Sequence, residues 1–244
     1  MSKRQNEYLN LNTNILGVSL NELIELDHAC FGPSLKKEEY NYIFKSCDAL
    51  WLHSGNPTHP HAGLTSGGCS NGFVDTLRVL HYTNLCKLMA HMIVYKFREN
   101  YKEKVDWVIG SSYAAITLSF AVAELLNAEH GFTEKGHNKT QVWKRLEIFP
   151  GQKVLQVEEL ITKTTTLEAV RCGIREGNPN PVQFIPFVIT LIHRSEIYEI
   201  EGSPILHLIH YDIENWTTNE CPLCKKGSKK ILEPKKHWKE LTNQ

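Results

Sequence analysis

No stretch of this chain is apolar for long enough to cross a membrane, and none near its start has the form of a secretion signal, which leads to the expectation of a soluble, cytoplasmic protein. Neither sign of charge prevails: 27 Lys and Arg balance 27 Asp and Glu. A chain without a net field has no general attraction for polyanions, so neither nucleic acid nor a membrane is expected as a partner. Repeats and low-complexity blocks are also lacking, which excludes solenoids and disordered arrays. The seven cysteines, Cys30, Cys47, Cys69, Cys86, Cys172, Cys221 and Cys224, are odd in number and mostly lie in apolar segments, so they read as reduced, packed thiols. Only Cys221-Pro222-Leu223-Cys224 forms a close pair, and one C-x-x-C supplies half of a structural zinc site. His210 or His237 could complete it, but no second pair of ligands shows the required spacing, and no protein metal ligand is assigned. His53, His59 and His61 sit around prolines without helical or hairpin spacing, and read as surface or subunit contacts.

What the chain does contain is an alternation of short apolar runs with helical patterns. Val154 to Val157 is a buried type of strand; it ends in Glu158-Glu159 and turns through Thr162-Lys163-Thr164-Thr165-Thr166 into a helix. Carboxylates emerging at the carboxyl end of a parallel strand can accept hydrogen bonds from vicinal hydroxyls, and a helix start rich in hydroxyls suits an anion. The combination points to a sugar phosphate. The alternative is that the acids merely end a strand. Val105 to Ile109 is a second strand, followed by Gly110-Ser111-Ser112-Tyr113-Ala114-Ala115 and a helix over 116–126. Residues 131–148 read as a hairpin with a basic tip, carrying Lys135 on one arm and Lys144-Arg145 on the other. Phe184 to Ile192 is a further strand, with His193-Arg194-Ser195 at its exit.

These segments set the organisation. Residues 1–60 read as a helical extension, with Ser19 capping a helix over 20–26. Residues 61–212 form an α/β core with a mainly parallel sheet flanked by helices, including a long helix from about Asn84 to Asn100. Residues 213–244 read as a basic, solvated tail.

The stretch from Val154 to Thr166 resembles the PRPP-binding motif of type I phosphoribosyltransferases, above all the orotate phosphoribosyltransferases. Their pattern is four apolar residues, Glu-Asp, two apolar residues and Thr-Thr-Gly-Gly-Ser/Thr. Glu158 and Glu159 hold the acid positions, while Thr164-Thr165 replaces the glycine pair. A β-branched residue resists the positive φ that glycine allows, so this loop is expected to differ in shape or carry strain. By the same resemblance Gly110, Ser111, Ser112, Tyr113, Ala114 and Ala115 stand at the pyrophosphate loop, usually Gly-Pro-x-x-Gly-Gly, and Lys135 stands at the catalytic loop, with Lys144 and Arg145 at its basic pair. Ser66, Gly67, Ser70 and Phe73 match the segment that covers the pyrimidine, and Arg194 stands where the family places an arginine facing the base. Thr65 stands where many orotate enzymes have a lysine, and His193 replaces an acid. The Cys-Pro-Leu-Cys tail also occurs in some bacterial relatives.

The resemblance implies a type I phosphoribosyltransferase fold with a hood. It implies a Mg²⁺-dependent transferase that joins PRPP to a nitrogenous base, orotate by preference, and releases pyrophosphate. Glu158 and Glu159 would hold the ribose, Thr162, Lys163, Thr164, Thr165 and Thr166 the 5′-phosphate, and Lys135 the leaving pyrophosphate. It further implies a homodimer in which the 132–145 hairpin reaches toward the neighbouring site. An enzyme for another base, and a non-catalytic PRPP or nucleotide sensor, are the alternatives that the altered loops leave open.

Overall fold

A computed structural model describes residues 15–27, 31 and 34–242, so that Cys30 lies outside the described residues. They divide into two compact units, one formed by the described parts of 1–37 and 80–211, the other by 38–79 and 212–242.

The first unit is built on a six-stranded sheet in the order 199–200, 203–210, 183–193, 153–161, 107–110, 129–132. All neighbouring pairs are parallel except Glu199–Ile200 against Ser203–His210. The middle strands are buried on both faces, as Val154, Leu155, Gln156, Val157 and Glu158 show, and that is why their sequences run apolar rather than alternating. Helix Thr83–Asn100 packs on strands 183–193 and 203–210, and helix Ala115–Leu126 packs on 107–110, 129–132 and 153–161. Ser19 caps a single turn, Leu20–Leu23, through a reciprocal bond with Glu22.

Helix Thr165–Gly177 follows the acid pair and its loop. Its anchor is Arg171, a buried cation whose Nε donates to Gln156 Oε1 at 3.3 Å and whose Nη1 pairs with Glu201 at 3.2 Å. The helix is thereby tied to the strand that carries the acids. Where it passes strand Gln141–Val142 it has Gly173, at which a Cβ would lie 2.1 Å from the Gln141 carbonyl oxygen.

The second unit holds a four-stranded sheet in the order 215–216, 69–70, 61–63, 230–231, with the antiparallel pair Leu50–Leu52 and Gly72–Val74 beside it in sequence. Its core contains Trp51, Ala62, Ile231, Trp238 and Leu241. Two expectations are corrected here. Residues 213–242, the described part of the expected tail at 213–244, are not simply solvated: Cys221, Ile231, Trp238 and Leu241 are buried, while Lys225, Lys226, Lys235 and Lys236 stay exposed. The count of lysines hid widely spaced apolar residues that face inward. Nor is 1–60 one extension, because residues 38–60 belong with the second unit. Among the described residues no helix is long and apolar enough to cross a membrane.

Candidate active site

The sheet reverses its direction of growth between strands 107–110 and 153–161. From Trp107–Gly110 the chain moves outward to the edge strand Glu129–Phe132, then crosses back to lay Lys153–Ile161 on the other side. Connections leave the carboxyl ends of these two strands in opposite directions, and such a crevice is where open α/β sheets bind ligands. Strand 107–110 stops at Gly110, opposite Val157, whereas strand 153–161 continues beside 183–193 as far as Ile161 opposite His193. Glu158 to Ile161 therefore overhang the shorter neighbour. The acids were expected to follow the strand; they lie inside it, because the long partner 183–193 extends the pairing past them.

The register brings Ser111 next to Glu158, and its hydroxyl donates to Glu158 Oε2 at 2.6 Å. The other oxygen, Oε1, is buried and receives no hydrogen bond. Burial pushes the Glu158 carboxyl up from its ordinary range, and the adjacent Glu159 charge adds to this; burial likewise raises the half-buried Glu159. A buried carboxylate with a free acceptor is held ready for donors supplied by a ligand.

Both acids line a cavity of about 480 Å³ together with Ser111, Ser112, Lys135, Gln141, Thr162, Lys163 and Thr166. Eight of the residues singled out from sequence thus meet in one place. Gly110 is required just behind it, since a Cβ there would lie 2.6 Å from Ser119 Oγ where helix 115–126 closes on the strand. Ala115 is buried in that helix, Ala114 precedes its first turn, and Tyr113 stands 70% exposed. The threonine loop has no residue with positive φ. Thr164 takes helical angles, φ −77 and ψ −12, is buried, and leads directly into the helix without a side-chain cap. The loop therefore carries no positive-φ strain, and Thr162, Lys163 and Thr166 line the cavity while Thr164 and Thr165 are not among its lining residues.

The basic hairpin is shorter than expected. Glu134–Lys135 pairs with Gln141–Val142 around a turn at 137–139, and Trp143, placed on the returning arm by sequence, is buried against Trp107. Lys135 Nζ sits 4.6 Å from the centre of the Tyr113 ring and lines the cavity of its own chain rather than reaching away from it. Lys144 and Arg145 do not line this cavity; they pair with Glu134 at 3.9 and 3.3 Å. Gln141 was not singled out from sequence. Its Oε1 accepts from Thr133 at 2.7 Å and from Ser112 at 3.5 Å, tying the hairpin to the Ser111-Ser112 turn. A lone glutamine in a polar run gives no signal of such a role. Arg194 donates its backbone N–H to Ile161 at 2.9 Å, and its half-buried side chain keeps Nε buried without a partner. His193 is buried and bonded to His210 and Ile197.

The remaining expected residues belong to the second unit. Ser66 and Gly67 line a separate hollow with Gly68, Trp216 and Thr217, where Gly67 takes φ +87. Ser70 is buried and its hydroxyl is engaged by the Gly72 and Glu214 carbonyls, while Phe73 packs edge-on to Trp238. Those two serve the fold.

No family model matches the chain. The orotate phosphoribosyltransferase of Caldicellulosiruptor saccharolyticus is 30% identical over 193 residues, which cover 79% of this chain and 94% of that protein. The chain belongs to the orotate phosphoribosyltransferase family. The orotate phosphoribosyltransferase of Thermus thermophilus is 29% identical over 73% of this chain and 94% of its own length. Among solved structures, Leishmania donovani UMP synthase superposes with a TM-score of 0.52 at 15% identity, covering 78% of this chain and 38% of that one. Orotate phosphoribosyltransferase from Aeropyrum pernix superposes with 0.50 at 16% identity, covering 69% and 91%. These show the type I phosphoribosyltransferase fold. The protein is accordingly a pentosyltransferase, similar to the enzymes of pyrimidine biosynthesis that bear the family name.

Proposed function

We propose that this enzyme transfers ribose 5-phosphate from PRPP to orotate and releases pyrophosphate. The observation that carries the reading is the buried Glu158 Oε1, free to accept, beside Glu159 at the sheet's switch point. Ribose hydroxyls donating to these carboxylates would stabilise their charged form against the burial that now disfavours it. The two negative charges then face the positive charge that develops at C1 as its bond to pyrophosphate breaks and its bond to a ring nitrogen of the base forms, the ring proton passing to solvent. Thr162, Lys163 and Thr166 hold the 5′-phosphate at the uncapped start of helix 165–177. Ser111, Ser112 and Lys135 face the pyrophosphate, with Lys135 countering the charge that gathers as it leaves.

The donors at the cavity are carboxylate and hydroxyl oxygens, a set that fits a hard cation such as Mg²⁺ held through substrate oxygens and water, with Glu158 and Glu159 as its nearest protein anions. When bound, Mg²⁺ would neutralise charge on the pyrophosphate. Arg194 is the residue of the crevice's own unit that we assign to the base, and a cytoplasmic homodimer is the form in which we expect the enzyme to work.

The test is release of pyrophosphate from PRPP and Mg²⁺ with a panel of pyrimidine and purine bases. Release with orotate and not with the others is expected. Release only with another base would overturn the choice of substrate, and no release with any base would leave a binding protein.

A further inference from the structure

The second unit contains four side chains that phosphoribosyl transfer does not use. His61 and Cys69 lie on the paired strands His61–Gly63 and Cys69–Ser70, and Cys221 and Cys224 bracket the first turn of Pro222–Lys225. Their ligating atoms all lie within 4.8 Å of one another. Cys69 Sγ is 3.6 Å from Cys224 Sγ, and His61 Nε2 is 3.3 Å from Cys224 Sγ and 3.8 Å from Cys221 Sγ. An ion with tetrahedral bonds of about 2.3 Å to sulfur and about 2.0–2.1 Å to nitrogen separates its ligands by roughly 3.6–3.8 Å. Two of the three separations, 3.6 and 3.8 Å, match that shell, and the third, 3.3 Å, is a little shorter. They are too long for a disulfide, whose sulfurs stand about 2.05 Å apart, and all three thiols are free.

The surroundings orient these groups. Ser228 donates its hydroxyl proton to the His59 carbonyl at 2.7 Å, so toward His61 Nδ1, 2.8 Å away, it can only accept. Nδ1 therefore carries the proton, and Nε2 presents its lone pair to the three sulfurs. An acceptor that takes the other ring N–H and so fixes the tautomer from behind is the usual partner of a metal-bound imidazole. The Cys224 backbone N–H points at Cys221 Sγ at 3.4 Å, a contact that suits a negative sulfur. His61, Cys69 and Cys221 are fully buried, which corrects the reading of His61 as a surface residue.

We propose that His61, Cys69, Cys221 and Cys224 bind a structural Zn²⁺. Three thiolates and one imidazole select zinc over the hard cations that suit the active site, and four protein ligands leave no position open for catalysis. The ion joins segments 155 residues apart, Cys69 to Cys224, and so holds residues 213–242 onto the sheet. One of its ligands, Cys69, directly follows the Ser66-Gly67-Gly68 turn and pairs with Trp216.

Elemental analysis of the full chain, purified under reducing conditions without added chelator, should find one zinc per chain. Titration of the thiols with an organomercurial should release that zinc to a chromogenic chelator. Cobalt(II) exchanged into the same protein should give the intense visible absorption of a tetrahedral thiolate site. Ser228→Ala should weaken the metal by roughly 10–100-fold, Cys69→Ser should abolish stoichiometric binding, and Cys172→Ser, at an exposed thiol, should change nothing. Should Cys69→Ser fail to fold, the mercurial and cobalt results on the unaltered chain decide. Folded, reduced protein that takes up no zinc at equimolar concentration overturns the proposal, as does a cobalt spectrum of the weak, octahedral kind or a native disulfide among the three cysteines.

Discussion

At the scale of single residues the active site is under electrostatic tension. Glu158 is buried next to Glu159 with one oxygen bonded to Ser111 and the other unbonded. Its carboxyl in the folded chain is raised, so the neutral form fits the fold better than the charged one. Stability from this group is full at pH values below the unfolded carboxyl range and is lost as pH rises through the raised folded value. Glu158→Gln, which keeps the shape and removes the charge, should therefore stabilise the ligand-free enzyme at pH 8 by about 1 kcal/mol, a rise in Tm of about 2–4 °C. A differential scanning measurement giving a lower Tm would contradict this. The proposed reaction has the opposite requirement, because ribose hydroxyls would donate to a carboxylate. The acid limb of kcat/KM for PRPP should lie above the ordinary carboxylate range, and Ser111→Ala, which removes a hydrogen bond to the charged form, should move it to still higher pH. An unmoved limb in that variant would detach Ser111 from the titration.

At the scale of elements, the placement of the cavity rests on close approaches that only glycine permits. Helix 165–177 touches strand 141–142 at Gly173, where an added methyl would meet the Gln141 carbonyl at 2.1 Å. Alanine is normally the better helix residue by roughly 1 kcal/mol. Here Gly173→Ala should instead destabilise by about 1–3 kcal/mol in chemical denaturation, since overpacking displaces backbone. It should also raise KM for PRPP, because Gln141 and Lys135 sit on the displaced hairpin. Retained stability would show that the hairpin yields without effect on the site.

The elements also show what sequence could and could not reveal. Strand 183–193, helix 83–100 and helix 115–126 were legible to within a residue or two, because burial on both faces leaves continuous apolar runs and burial on one leaves helical spacing. The end of strand 153–161 was not legible. Acidic residues argue against a strand interior, and only the length of the neighbouring strand extends it past Glu159. The loop that lacks glycine reads as a departure from the family, and its negative φ values show why threonine is tolerated there. Gln141 and His61 were missed for a common reason: each acts through partners brought from distant or separate short elements, and local pattern carries no trace of them.

At the scale of the whole molecule, two compact units carry different chemistry. One holds the crevice with its oxygen donors, the other a cluster of sulfur and nitrogen donors. The second unit joins residues 38–79 to the end of the chain, so its stability should depend on metal. A strong zinc chelator should lower the temperature at which the tryptophan fluorescence of Trp51 and Trp238 changes, and added zinc should restore it; an unaltered transition would indicate that packing alone holds this unit.

The measurement that bears most directly on the enzyme is calorimetric titration of PRPP with Mg²⁺ into the unaltered chain and into the Glu158→Gln, Glu159→Gln double variant, both confirmed as folded. If the two carboxylates hold the ribose, the unaltered chain binds one PRPP per site and the double variant loses at least 100-fold in affinity, about 2.7 kcal/mol. Equal affinity in the two proteins would contradict the assignment of the crevice at Glu158 and Glu159 as the place where PRPP is bound.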